Sequence, residues 1–142
     1  MDFDSDVKAG SAKVSSLLRQ ARELSVHGNE AKARRFFDEA LALAEANADL
    51  LGKGNALKGR GFQDALAGRH AEARLAYDEA LALFRQGGHR VQEANALMAL
   101  GNLQKHADKN DAKQFFEQAV QTFRALGMSE YENFARAALR DG

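Results

Sequence analysis

The 142-residue chain fits one ordinary domain, and its 45% hydrophobic and 28% charged residues argue against disorder of the whole chain. Twenty Lys and Arg balance twenty Asp and Glu, so the positive surplus with which nucleic-acid binders displace counterions is missing. Cysteine is absent, which excludes disulfides, thiolate chemistry and Cys-based metal sites and is compatible with a reducing cytoplasm, the expected location.

The chain opens on Met1-Asp2-Phe3-Asp4-Ser5-Asp6, which is acidic and not followed by the apolar core of a signal peptide. Residues 1–10 are therefore read as an acidic segment set apart from the domain and free to be disordered, with 11–142 as the domain itself. Alanine is the commonest residue and proline is absent, a bias that predicts a mostly helical chain. Nothing approaches 18 consecutive apolar residues, so no membrane insertion is expected.

Three phrases then recur at a nearly constant interval: Phe37-Asp38-Glu39-Ala40-Leu41, Tyr77-Asp78-Glu79-Ala80-Leu81 and Phe116-Glu117-Gln118-Ala119-Val120. An alanine one helical turn before each aromatic completes the phrase: Ala33, Ala73 and Ala112. Asn55-Ala56-Leu57 and Asn95-Ala96-Leu97 repeat at the interval that separates Phe37 from Tyr77. The third unit therefore lacks one residue, near the turn at Ala107-Asp108. Each unit reads as two helices. The first ends near Gly28, Gly68 or Asp108; the second starts near Glu30, His70 or Asn110, with Asn29 and Asp108 as caps. Ser129 and Glu132 have capping-box spacing and open a last helix to about Arg140. The expectation is seven helices: pairs in residues 11–50, 51–90 and 91–128, and a capping helix in 129–140.

This pattern resembles the tetratricopeptide repeat family. Leu97, Leu100, Gly101, Ala112 and Phe116 match its motif in the third unit, and Leu57, Gly61, Ala73 and Tyr77 match it in the second. Leu17, Ala21, Leu24, Ala33 and Phe37 match in the first, whereas Arg60 and Asp64 stand where the family is usually apolar. The units here exceed the family's usual period of about 34 residues. They are similar to the longer variety found in cargo adaptors and bacterial signalling receptors. The resemblance implies an all-α, right-handed α-solenoid that binds a protein or peptide partner along the first helices. Fitted to that frame, Leu18, Arg19, Arg22 and Ser25, then Lys58, Phe62 and Ala65, then Asn95, Met98, Asn102 and Lys105 form the groove stripe. Its basic residues and its lack of an acid point to an acidic partner segment with apolar anchors. Ordinary solvated helix faces, with Phe62 in the core, are the competing reading. The clamp with which some members hold a chaperone's terminal carboxylate is only partly matched, by Lys58 and Asn102.

Other motifs carry less. Gly52 to Gly61 has glycines at phosphate-loop spacing, but no GK[ST] follows and the phase matches the helix downstream. Gly61 fits a close helix crossing, while Gly59 has no explanation in the sequence. Arg60 and Asp64, four apart, suit an intrahelical ion pair. His27, His70, His89 and His106 lack metal-ligand spacing, and Ser15, Ser16 and Ser25 lack a nucleophile elbow. No metal, cofactor or enzymatic activity is therefore expected. Two alternatives to an adaptor stand beside it. One is self-assembly into a homo-oligomer through Tyr131, Phe134 and Leu139 of the last helix; the other is a peptide-sensing regulatory receptor module.

Overall fold

The computed structural model describes the backbone of residues 3–141 and the side chains of residues 11–141. Among these residues there are seven helices and no strand: α1 (Phe3–Val26), α2 (Glu30–Ala46), α3 (Leu50–Leu66), α4 (His70–Gly87), α5 (Arg90–Gln104), α6 (Lys109–Ala125) and α7 (Ser129–Asp141). Each helix lies against its neighbours in sequence, and α3 also touches α1 and α5. The result is an all-α solenoid of three helix pairs with α7 covering the last. Helical backbone begins at Phe3, so α1 runs through most of the acidic segment read as separate from the domain. The side chains of Asp2, Asp4 and Asp6 lie outside the described residues.

The turns follow the sequence closely. After α1 and α3, Gly28 (φ 81°) and Gly68 (φ 80°) take the left-handed conformation that a side chain resists. The next amides fold back, Asn29 N donating to Leu24 O and Arg69 N to Asp64 O, both at 2.8 Å. Between α2 and α3 the same work falls to Ala48 (φ 52°), at a strain of roughly 1–2 kcal/mol. The shorter third unit turns at 105–108 without glycine, and Asp108 caps α6 by accepting from Asp111 N at 3.0 Å. Two capping expectations do not hold. Asn29 precedes α2 but makes no side-chain cap bond. The Ser129/Glu132 box is not formed: Glu132 instead accepts from Arg136 at 2.9 Å and Arg124 at 3.2 Å. Asp49, which the sequence reading passed over, caps α3 by accepting from Gly52 N at 2.9 Å.

Two hydrophobic clusters fill the solenoid. One joins Val14, Leu17, Leu18 and Ala21 to Phe37 and Ala56; the larger surrounds Tyr77, Phe84, Leu97, Leu100, Phe116 and Phe123. Glycine makes room for the aromatics. Phe116 sits over Gly101, Tyr77 over Gly61, Phe84 over Gly54 and Phe37 over Gly59. A Cβ at Gly61 would lie 2.9 Å from the Tyr77 ring, and one at Gly59 would collide with Phe37. Gly59 thus has its reason: it receives the aromatic of the preceding unit. Because α3 is unbroken from Leu50 to Leu66, its glycines are notches in a helix and not a phosphate loop. Each notch forfeits roughly 1 kcal/mol of helix propensity, against the ~1.5–3 kcal/mol of burying a Phe side chain.

Polar latches join each unit to the next. Arg60 does not pair with Asp64; its Nε lies 3.2 Å from Asp38 of α2. Buried Asp64 is instead held by Arg34 at 3.2 Å and Arg69 at 2.8 Å. Beside it Gln63 Nε2 donates to Glu30 Oε2 at 2.8 Å. One unit later, Gln104 lies 2.6 Å from His70 Nε2 and donates to Asp111, which also accepts from Arg74, both at 2.8 Å. The Arg74 guanidinium and the Gln104 amide hold the Asp111 carboxyl below the usual carboxylate range.

On propensity alone, Gly59→Ala gains about 1 kcal/mol. Overpacking against Phe37 is expected to outweigh that, with a penalty of about 1–3 kcal/mol. Urea unfolding is therefore expected to find Gly59→Ala less stable than the native chain, and the loss to shrink in a Phe37→Leu background. A stabilised single variant contradicts the notch.

Candidate functional site

The odd-numbered helices α1, α3, α5 and α7 present one side each to a common face, where three hollows run together. The first, of about 500 Å³, has Arg22, Ser25 and Val26 of α1 on one wall. Asn55, Lys58, Phe62 and Leu66 of α3 form its middle, and Asn95 and Ala99 of α5 close the far side. Phe37 and Tyr77 reach its floor from the even-numbered helices, and Glu30 stands at one end. The second hollow, about 550 Å³, shares Phe62, Tyr77 and Asn95 with the first and adds Ala65, Met98 and Asn102. The third, about 380 Å³, shares Asn95 and Met98 and continues to Phe123, Glu130, Tyr131 and Phe134.

Eight of the eleven residues expected in the groove therefore meet on this face: Arg22, Ser25, Lys58, Phe62, Ala65, Asn95, Met98 and Asn102. Phe62 is 55% exposed, so it is a groove wall and not core. Three others do not belong. Leu18 is 4% exposed and lies in the cluster that contains Ala56 of α3, because one turn before Arg22 helix α1 is already packed on its neighbours. Arg19 is exposed outside the hollows. Lys105 follows the end of α5 and leaves its stripe, lining a separate 140 Å³ recess with Lys109, Lys113 and Leu139. Leu139 is partly buried against the main core, whereas Tyr131 and Phe134 are exposed.

The sequence reading also missed groove residues. Val26 and Leu66, 82% and 69% exposed, are large apolar side chains left in water at equivalent places of two repeats. Their signal was available: they hold the same position in successive units, each just before a turn glycine, Gly28 or Gly68. Asn55 had a signal too, as the repeat partner of Asn95. Glu30 did not, since it reaches the face from α2.

The electrostatics of the first hollow are one-sided. Burial holds the Lys58 ammonium below the usual lysine range, and the Arg22 charge adds to the shift. Among the described residues no carboxylate lies within ion-pair distance of either group. The acid of this hollow, Glu30, is engaged by the Gln63 amide at 2.8 Å and the Ser25 hydroxyl at 3.2 Å. On the floor, burial, with the Asp64 charge adding, pushes the Tyr77 phenol up to about 12, so it stays protonated and able to donate.

Helix pairs repeating at a nearly constant interval, with aromatics of the second helices seated on glycines of the first, set the architecture. A tetratricopeptide repeat family model matches residues 53–125, just over half of the chain. The chain belongs to the tetratricopeptide repeat family. A comparison with curated proteins finds no match. Tetratricopeptide repeats mediate protein–protein interactions, and the family is a non-enzymatic repeat scaffold. The matched residues hold the second and third repeats, and α1 with α2 builds the same pair in front of them. No described helix is long and apolar enough to cross a membrane, and no cluster of three His, Asp or Glu side chains among the described residues suits a metal ion.

Lys58 gives a test of the site's charge. Its folded pKa lies below its unfolded one, so the unfolded chain binds the proton more readily. The charge therefore lowers stability at every pH below the folded pKa, and the penalty fades as pH rises through the ordinary lysine value near ~10.4. Lys58→Met is expected to raise the thermal midpoint at neutral pH, with a smaller gain at about pH 10.5. A lowered midpoint at neutral pH contradicts an uncompensated charge.

Proposed function

We propose that this tetratricopeptide repeat chain is an adaptor that holds an acidic, partly apolar segment of a partner protein along the face of its odd-numbered helices. The observation that carries the reading is Lys58, half-buried beside Arg22 with no anion among the described residues to neutralise either. A partly buried cation beside a second, exposed one opposes folding, and a ligand carboxylate relieves the repulsion and offsets the desolvation of Lys58. Each charge-assisted hydrogen bond contributes about 1.5–3 kcal/mol. Phe62, Leu66 and Val26 flank the cations and offer apolar seats to neighbouring ligand residues.

Self-assembly through α7 is the second reading, and the exposure of Tyr131 and Phe134 favours it. Their sharing of a hollow with Asn95 and Met98 supports assigning them to the groove instead. On the adaptor reading the chain is expected to keep a monomer's mass across a broad concentration range in sedimentation. Concentration-dependent mass that Phe134→Glu abolishes without unfolding would move the assignment to self-assembly.

The adaptor reading is tested with an Arg22→Glu/Lys58→Glu variant of unchanged helicity. Partner proteins retained from lysate by the immobilised native chain are expected to be lost, and affinity for a retained partner is expected to fall with salt. Undiminished retention by the variant takes the site away from this face.

A further inference from the structure

The two ends of the groove differ in charge, and the far end has its own chemistry. There Glu130, Tyr131 and Phe134 of α7 surround the third hollow with Met98 of α5. Phe134 is 68% exposed and Tyr131 52%. Tyr131 is fixed by the buried Phe123 ring, with centroids 5.4 Å apart. Glu130 has no cation within ion-pair distance among the described residues. The nearby Arg124 and Arg136 are both taken by Glu132, at 3.2 and 2.9 Å. An open aromatic pair, a thioether and an unpaired carboxylate make a hollow complementary to a cation, since aromatic faces attract positive charge and the carboxylate pairs with it.

We infer that this third hollow is a seat for a lysine or arginine side chain of the bound segment, so that the groove takes an acidic residue at Arg22 and Lys58 and a basic one at Glu130, Tyr131 and Phe134. The inference rests on the groove reading above and sets which charge of the ligand lies at which end. Two helix spacings, from α3 across α5 to α7, come to roughly 20 Å. An extended chain covers that distance in about six residues. The ligand is thus a segment with Asp or Glu about six residues from Lys or Arg, its acid at the α3 end of the groove and its base at the α7 end.

The test uses two capped decapeptides in isothermal titration with the full chain. The first carries Glu and Arg six positions apart with Leu beside the Glu; the second has citrulline, a neutral isostere, in place of Arg. The native protein is expected to bind the arginine peptide about tenfold more tightly, in line with an exposed cation–aromatic contact joined by an ion pair to Glu130. In Glu130→Gln and in Phe134→Leu, both at exposed positions, that ratio is expected to fall to about twofold, with the citrulline peptide's affinity for Glu130→Gln unchanged. Equal affinity of the native protein for the two peptides overturns the cation seat while leaving the groove in place, as an apolar hollow would give. A tenfold ratio that survives in Glu130→Gln also overturns it. Failure of both peptides to bind at millimolar concentration removes the groove reading itself.

Discussion

The seating of aromatic rings on glycines is the constraint from which the rest of the molecule follows. A flat ring at the centre of a second helix can reach the backbone of a first helix only where that helix has no side chain. Gly59, Gly61 and Gly101 supply the gaps for Phe37, Tyr77 and Phe116. Gly61 and Gly101 lock a pair of helices within one unit, while Gly59 locks one unit to the next. Phe37 and Tyr77 fill the floor of the first hollow from below, so the contacts that hold the solenoid also shape the hollow proposed as the binding site. Helix α3 is the centre of this arrangement. It accepts rings on Gly54, Gly59 and Gly61 and presents Lys58 and Phe62 between them.

Charge is distributed by the same logic. Where two units meet, opposite charges are matched, Asp64 with Arg34 and Arg69 and Asp111 with Arg74, and the Gln104 amide donates to Asp111 as well. Asp64 is buried and Arg34, Arg74 and Asp111 are half-buried, so removing a partner strands a partly desolvated charge, which is the expensive case for an internal ion pair. On the face of the odd-numbered helices matching stops. Lys58 and Arg22 lie together with no acid within ion-pair distance among the described residues, and burial, with the Arg22 charge adding, holds the Lys58 ammonium below the usual lysine range. Stability is given up at the groove and recovered at the seams between units, an arrangement suited to a surface whose counter-charges arrive with a partner.

Much of this was legible in the sequence, and the failures have physical causes. The recurring aromatic–alanine phrases were enough for seven helices and their pairing, because periodicity reports which face of a helix is buried. Sequence spacing says less about what that face meets. Leu18 has the same helical phase as Arg22 yet goes to the core, since burial at that turn depends on how close α3 lies. Lys105 fits the spacing of Asn102 and keeps helical dihedrals as the C-cap of α5, yet α6 and α7 come close at that end and it lines their recess instead. Arg60 and Asp64 obey the four-residue rule for ion pairs, yet each found a better partner on another segment, Asp38 and Arg34 on α2 or Arg69 in the turn. Gly59 was opaque for a related reason: the ring that fills its notch is Phe37, which belongs to the preceding repeat.

The central claim is that the odd-numbered helices, and above all the neighbourhood of Lys58, form the binding surface. A titration of the isotope-labelled chain with a short capped peptide of alternating glutamate and leucine, followed by backbone amide shifts, tests this most directly. The account predicts that the perturbed amides cluster in 22–26, 55–66 and 95–102. Shifts confined to the opposite face, around the hollow lined by Leu41, Leu57 and Leu75, would contradict it.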